Sequence, residues 1–144
     1  WKAIGKYAPK PQQETLKKYI GTQIDYMNIM WIYRCKKYFK ISNELIYTYL
    51  IPIYFRLSKD EIISMIEAPT AAALENIINS GKYSDILLNS EGNLFIEQNY
   101  KKICFKNAKK AYKLHPGTLT EVFAFFDMRL TETKNLETVI EETL

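Results

Sequence analysis

Apolar residues recur at spacings of three and four through most of the chain, and Ile20 to Phe39 carries the strongest form of this pattern. One apolar line runs through Leu16, Ile20, Ile24, Met27, Trp31, Cys35 and Tyr38, the period of an α-helix. Asp25, Asn28, Ile29 and Ile32 fall together on another face of the same helix. A helix apolar on nearly all sides is expected to be central, buried by neighbours on more than one face. Its predicted span is about Glu14 to Lys40. Arg34 projects beside the apolar line, where an unpaired guanidinium is costly, so a carboxylate partner is expected. Asp25, Asn28 and Arg34 read as polar pegs that hold the helix in register. Gly21 either costs about 1 kcal/mol relative to Ala or marks a close helix contact.

The remaining pattern predicts helix and turn throughout. Trp1 to Gln13, with Pro9 and Pro11, reads as a linker or the tail of a preceding element. Ser42 is an N-cap candidate for Asn43 to about Leu50, closed by Pro52. Ser58 and Glu61 have the spacing of a capping box opening Lys59 to Glu67. Thr70 can cap Ala71 to Asn79, with Gly81 placed as a left-handed terminating residue. Tyr83, Ile86 and Leu87 make a short apolar piece, and Asn89 to Asn93 a polar turn. A second long helix is predicted from Leu94 to Leu114. Ile96, Tyr100, Ile103, Cys104, Ala108 and Ala111 line one side of it, and Lys101, Lys102, Lys106, Lys109, Lys110 and Lys113 the other. His115-Pro116-Gly117 turns the chain, and Thr118 with Glu121 opens a last helix from Leu119 to the end. Alternating runs bounded by hairpin signals do not occur, so the fold class is all-α.

The signature of the first long helix returns in the last one. Asp25, Asn28, Ile29 and Ile32 are echoed at one constant offset by Glu132, Asn135, Leu136 and Val139. This suggests pseudo-repeated lobes: 1–13 as linker, 14–88 as one helical lobe, and 89–144 as the start of a related lobe.

Composition narrows the function classes. The 144 residues suffice for one packed core, and the 47% apolar and 14% aromatic content argues against disorder. The formal charge of +4 permits an acidic partner without requiring nucleic acid. Cys35 and Cys104 read as buried free thiols in a reducing compartment. No apolar run is long enough to span a membrane, and no secretory signal is visible. The chain opens on Trp1 and ends inside a helical pattern, as a fragment of a longer protein would.

The chemistry expected of an enzyme is missing from the pattern. There is no glycine-rich phosphate cradle, and the one His lies before a proline in a turn. No His, Cys and carboxylate cluster has metal-ligand spacing. Asp60-Glu61 and Glu141-Glu142 are neighbours in sequence, which face apart on a helix. The lysine face of the second long helix is the leading surface feature. It reads as a solvated face, or as a docking face for an acidic protein or anionic lipid; nucleic acid fits less well, because Arg is not interleaved there.

Three segments together resemble the C/d subunit family of rotary vacuolar-type and archaeal-type ATPases. The first is Asp25-x-x-Asn28-Ile29-x-x-Ile32-x-Arg34. The second runs from Leu45 to Leu87 through Tyr49-Leu50-Ile51-Pro52, Leu57-Ser58, Glu67-Ala68, Leu74 and Tyr83. The third is Glu132-x-x-Asn135-Leu136-x-x-Val139, where Glu141 stands in place of the signature's arginine. The resemblance implies part of a funnel-shaped helical adaptor with no catalytic residue, no cofactor and no metal. It would couple the central-stalk subunits to the membrane proteolipid ring in proton or sodium transport, and lie in the cytoplasm, touching the membrane only through the complex. On this reading Asp25, Asn28, Arg34, Glu132 and Asn135 keep the lobes in register, with Glu132 one candidate partner for Arg34. The competing reading is a basic helical module that binds nucleic acid or an anionic surface.

Overall fold

The computed structural model describes residues 1–87 and 96–143, and among them every regular element is helical. In chain order these are α1 (Lys2–Tyr7), α2 (Lys10–Arg34), a π-turn (Cys35–Phe39), α3 (Asn43–Tyr49), α4 (Lys59–Glu67), α5 (Ala71–Asn79), a 3₁₀ turn (Ser84–Ile86), α6 (Ile96–Leu114) and α7 (Leu119–Thr143). The all-α expectation is met. The expected turn from Asn89 to Asn93 and the helix start at Leu94 lie outside the described residues.

The first thirteen residues are more regular than their prolines suggest. Pro11 sits in the first turn of α2, where backbone N–H groups have no intrahelical acceptor, so its missing donor costs nothing. The Gln13 amide donates back to the carbonyls of Gly5 and Ala8, at 3.2 and 2.9 Å, closing the end of α1. At its other end, α2 loosens into the π-turn. Lys40 then stops it in the left-handed conformation, with φ of 49°.

Helix caps follow the local sequence with three departures. The Ser58–Glu61 capping box forms in both directions, and Thr70 accepts from the Ala73 N–H. Ser42 occupies its N-cap position, but its hydroxyl makes no capping bond. Gly81 is not left-handed: α5 closes on Ser80 in the right-handed region. A Cβ at Gly81 would stand 3.3 Å from the carbonyl oxygens of Ile77 and Ile78, so space is what asks for glycine there. Gly117 is the left-handed glycine, and Glu121 accepts from its N–H while Thr118 Oγ1 accepts from Glu121. The carboxylate thus reaches one residue further back than a capping box would place it.

Packing divides the chain into two units that do not follow sequence order. One comprises Trp1–Tyr19 with Lys101–Leu144, the other Ile20–Tyr100. In the first, Leu16, Tyr19, Ala108, Ala111 and Ala124 are buried. There the Tyr19 hydroxyl donates to Asp127 Oδ2 at 2.5 Å, and Leu119 N–H donates to Gln12 Oε1 at 2.9 Å. The second unit is built on the C-terminal part of α2, with α4 packed against α3 and α5, and α5 against the 3₁₀ turn. Its core holds Ile29, Ile32, Ile46, Ile62, Ile66, Leu74 and Ile86, each exposed by 1% or less.

The apolar line of α2 is buried only in part, at Leu16 and Cys35. Trp31 and Tyr38 on that line are 39% and 50% exposed. Burial centres instead on Asp25, Tyr26, Asn28, Ile29, Ile32 and Tyr33. This face carries two polar residues and two tyrosines. Each of these finds a partner, which removes the usual penalty for burying it.

Candidate functional site

In the second unit, the face of α2 that carries Gly21, Asp25 and Asn28 grips the non-helical, bent segment 51–57 that follows α3. Asn28 faces Ile51 in both directions: its amide donates to the Ile51 carbonyl, and the Ile51 N–H donates to its Oδ1, each at 3.0 Å. The side-chain amide thereby stands in for a neighbouring strand. One turn earlier, Asp25 Oδ1 accepts from Phe55 N–H at 3.1 Å. Its Oδ2 accepts from Arg56 N–H at 2.7 Å, from Leu57 N–H at 3.2 Å and from the Tyr83 hydroxyl at 2.7 Å. Three successive backbone donors converge on one carboxylate, and both Asp25 and Asn28 are fully buried.

Gly21 explains how the segment comes so close. A Cβ there would lie 2.6 Å from Phe55 Cβ and Cγ, well inside contact distance. Of the two readings for this glycine, the structure supports close contact, made with the segment that follows α3 and not with another helix. Around the clamp, Tyr26 donates to Asp85 Oδ2 at 2.5 Å, and its ring meets the edge of Tyr83 at 4.7 Å. The Arg56 guanidinium lies 5.6 Å from the Tyr83 ring centre. Burial, then the bond to Asp25, raise the Tyr83 hydroxyl far above the ordinary phenol range.

Arg34 has the carboxylate that its position demands, and that carboxylate is Glu97. Nε donates to Glu97 Oε1 at 2.8 Å, and this hydrogen bond raises the guanidinium further. Glu132, a candidate for that role from sequence, instead accepts from Arg129 on its own helix at 2.7 Å. The Arg34 side chain is 39% exposed, so the pair is half-solvated and not a buried bridge. Beyond it, Lys37 donates to the Tyr33 hydroxyl and lies 3.8 Å from Glu75. Lys36, lowered by burial, donates to the Ala68 carbonyl at 2.8 Å and to Asn43 at 3.2 Å.

The second copy of the signature has a different environment. Glu132, Asn135, Leu136 and Val139 lie on α7, and all are exposed. The six lysines Lys101, Lys102, Lys106, Lys109, Lys110 and Lys113 are exposed along α6, on which Ile96, Ala108 and Ala111 are buried. Cys35 is buried, which raises its thiol, and Cys104 is half-buried; neither forms a disulfide among the described residues. Among the described residues, no group of His, Cys, Asp and Glu is placed to hold a metal ion. No helix there is long and apolar enough to cross a membrane.

Sequence reasoning did not identify Tyr83, Glu97 or the 51–57 backbone as partners of the pegs. Tyr83 carried a usable signal: a tyrosine in an apolar stretch, whose hydroxyl must find an acceptor once buried. Glu97 carried none, because it belongs to the first turn of a helix distant in sequence.

Comparison with known proteins places these observations in a family. The profile of the family described as ATP synthase (C/AC39) subunit matches residues 1–142. The C subunit of the A-type ATP synthase of Methanobrevibacter smithii is 25% identical over 134 residues, covering 88% of this chain. The chain spans about a third of that relative's length, 35% of it. No solved structure matches the chain.

Proposed function

Because the chain belongs to the ATP synthase (C/AC39) subunit family, we propose that it is part of a non-catalytic adaptor within a rotary ATPase. In this role it couples the rotating central stalk to the membrane proteolipid ring during proton or sodium transport. The observation that carries the reading is the family match over residues 1–142. The clamp on α2 supports it physically. Torque is passed only by an element that does not slide, and a helix whose buried pegs hold the next segment's backbone resists sliding.

On this proposal the partners are central-stalk subunits and the proteolipid ring, with no small-molecule ligand, cofactor or nucleic acid. The protein lies on the cytoplasmic side and meets the membrane only through the complex. Residues 14–88 and 89–144 are then related lobes in origin, and Asp25, Asn28, Arg34, Glu132 and Asn135 are their register residues. The exposed lysines of α6 are the proposed contact face.

The test is purification of the tagged full-length protein from membranes solubilised in mild detergent. Stalk subunits and proteolipid are expected together. Recovery of neither, with the ATPase assembling in its absence, overturns the coupling role. The lysine face favours one other reading, a basic module on nucleic acid or an anionic surface. There, affinity falls steeply with salt and collapses on Lys102→Glu, Lys106→Glu and Lys109→Glu.

A further inference from the structure

We propose that the row Lys102, Lys106, Lys109 and Lys113 on α6 is a docking site for an acidic helix of a partner protein, one that presents carboxylates at the same spacing. This rests on the reading of α6 as a contact face, and goes beyond it by giving that face a partner of defined chemistry and geometry. Charge is divided unevenly between the two units of the chain. Trp1–Tyr19 with Lys101–Leu144 carries 13 Lys and Arg against 7 Asp and Glu, a formal +6. Ile20–Tyr100 carries 7 against 9, a formal −2. The excess is densest on α6, since no acid occurs from Gln98 to Thr120, a stretch that holds six lysines.

Intervals of four, three and four place the row on one line of the helix, about 16 Å long at a rise of about 1.5 Å per residue. All four lysines are exposed, and none forms an ion pair among the described residues. Like charges three and four apart on a helix repel one another, and an opposing row of carboxylates removes that repulsion.

The chemistry of the row selects among anionic partners. A lysine ammonium is a point charge on a flexible stem and meets single carboxylates, whereas the planar fork that pairs two phosphate oxygens belongs to arginine. The one arginine of this unit, Arg129, is already paired with Glu132 on its own helix at 2.7 Å. The row has no free platform for stacked bases either: the nearby Tyr112 ring lies beside Phe125, with centroids 6.4 Å apart. A helix that rests on lipid sets its lysines beside a free apolar face. Here Ala108 and Ala111, on the apolar side of α6, are buried in the protein. A second helix with carboxylates at intervals of three and four meets all four ammonium groups along their line.

Two helical peptides of equal composition test the fit to the full-length protein by fluorescence anisotropy. One carries Glu at intervals of four, three and four on a single face, and the other spreads the same residues around the helix. The first is expected to bind about tenfold more tightly, with an affinity that falls as salt rises. Lys106→Glu with Lys109→Glu is expected to abolish that preference. Lys2→Glu with Lys10→Glu, an equal change of charge at exposed positions of the same unit, is expected to keep it. Equal affinity for the two peptides, or an equal loss in the two double variants, overturns the proposal. Tighter binding of phosphatidylglycerol vesicles or of duplex DNA than of the first peptide overturns it too. Purification from membranes separates this site from the coupling role. If wild type and the Lys106→Glu, Lys109→Glu variant recover stalk subunits and proteolipid equally at every salt concentration, the α6 site falls and the coupling role stands. If wild type recovers neither, the coupling role falls and the peptide comparison alone decides the site.

Discussion

Helices α2 and α7 are each 25 residues long and share an order of carboxylate, amide and two aliphatics. In α2 the pattern is wholly buried, with Asp25, Asn28 and Ile32 at 0% exposure. In α7 its last two members, Leu136 and Val139, are 64% and 59% exposed. The helix itself is not the difference, since both pattern copies lie on regular helix. What differs is the presence of a non-helical backbone segment to receive the pegs: α2 has residues 51–57, and α7 has none among the described residues. A polar peg is therefore one half of a bond, and its environment depends on the other half being supplied.

The sharpest way to break this contrast is to remove the carboxylate that three backbone donors share. Asp25→Ala strands those buried N–H groups and the Tyr83 hydroxyl, and is expected to cost about 3–5 kcal/mol in chemical denaturation. A cost below about 1 kcal/mol would mean that the clamp contributes little.

Tyr83→Phe, which keeps the ring, removes one donor to Asp25 and is expected to cost about 2 kcal/mol near neutral pH. Its pH dependence adds a second readout. The folded state holds the Tyr83 proton well above the ordinary range, whereas the unfolded chain releases it near about pH 10. The unfolded state then binds fewer protons, so this contribution is full below about pH 10 and declines as pH rises. The gap between wild type and Tyr83→Phe is expected to shrink from about pH 8 to about pH 11; a constant gap would contradict the assignment.

Gly21→Ala weighs helix propensity against space. Ala gains up to about 1 kcal/mol in a helix, but its Cβ collides with Phe55, and overpacking costs about 1–3 kcal/mol. A net loss of about 1 kcal/mol is expected in thermal melts, and a gain would show that the segment yields easily. Arg34→Ala breaks a half-solvated pair, so the expected cost is below about 1 kcal/mol and falls with added salt. Smallest of all, Asn135→Ala in the 144-residue chain is expected to stay within about 0.5 kcal/mol of wild type. A larger loss would show that Asn135 already has a partner, and would erase the contrast with Asn28.

Much of the fold was legible from local signals. The capping box at Ser58 and Glu61, the cap at Thr70 and the turn at Gly117 depend on groups within a few residues of each other, so sequence spacing suffices. A carboxylate partner for Arg34 was equally expected, although the side chain proves 39% exposed and its pair half-solvated. The identity of that partner was not legible: Glu97 lies 63 residues away, and spacing carries no information at that range. Burial of α2 on more than one face was expected, and Leu16 and Cys35 of the apolar line are buried together with Asp25, Asn28, Ile29 and Ile32. That Trp31 and Tyr38 stay 39% and 50% exposed while Asp25 and Asn28 are fully buried depends on the 51–57 backbone that satisfies the two polar groups.

What the sequence determined by itself was the helical class, the positions of the caps, and the repeated pattern in α2 and α7. These depend on backbone propensity, short-range hydrogen bonds and period, all of which are encoded within one or two turns. Which copy of the pattern is buried, which face of α2 meets the core, and which carboxylate answers Arg34 were decided only in the tertiary structure. Each depends on where a distant backbone segment or side chain comes to rest, and the desolvation energy that rewards or penalises a polar group is set by that neighbour.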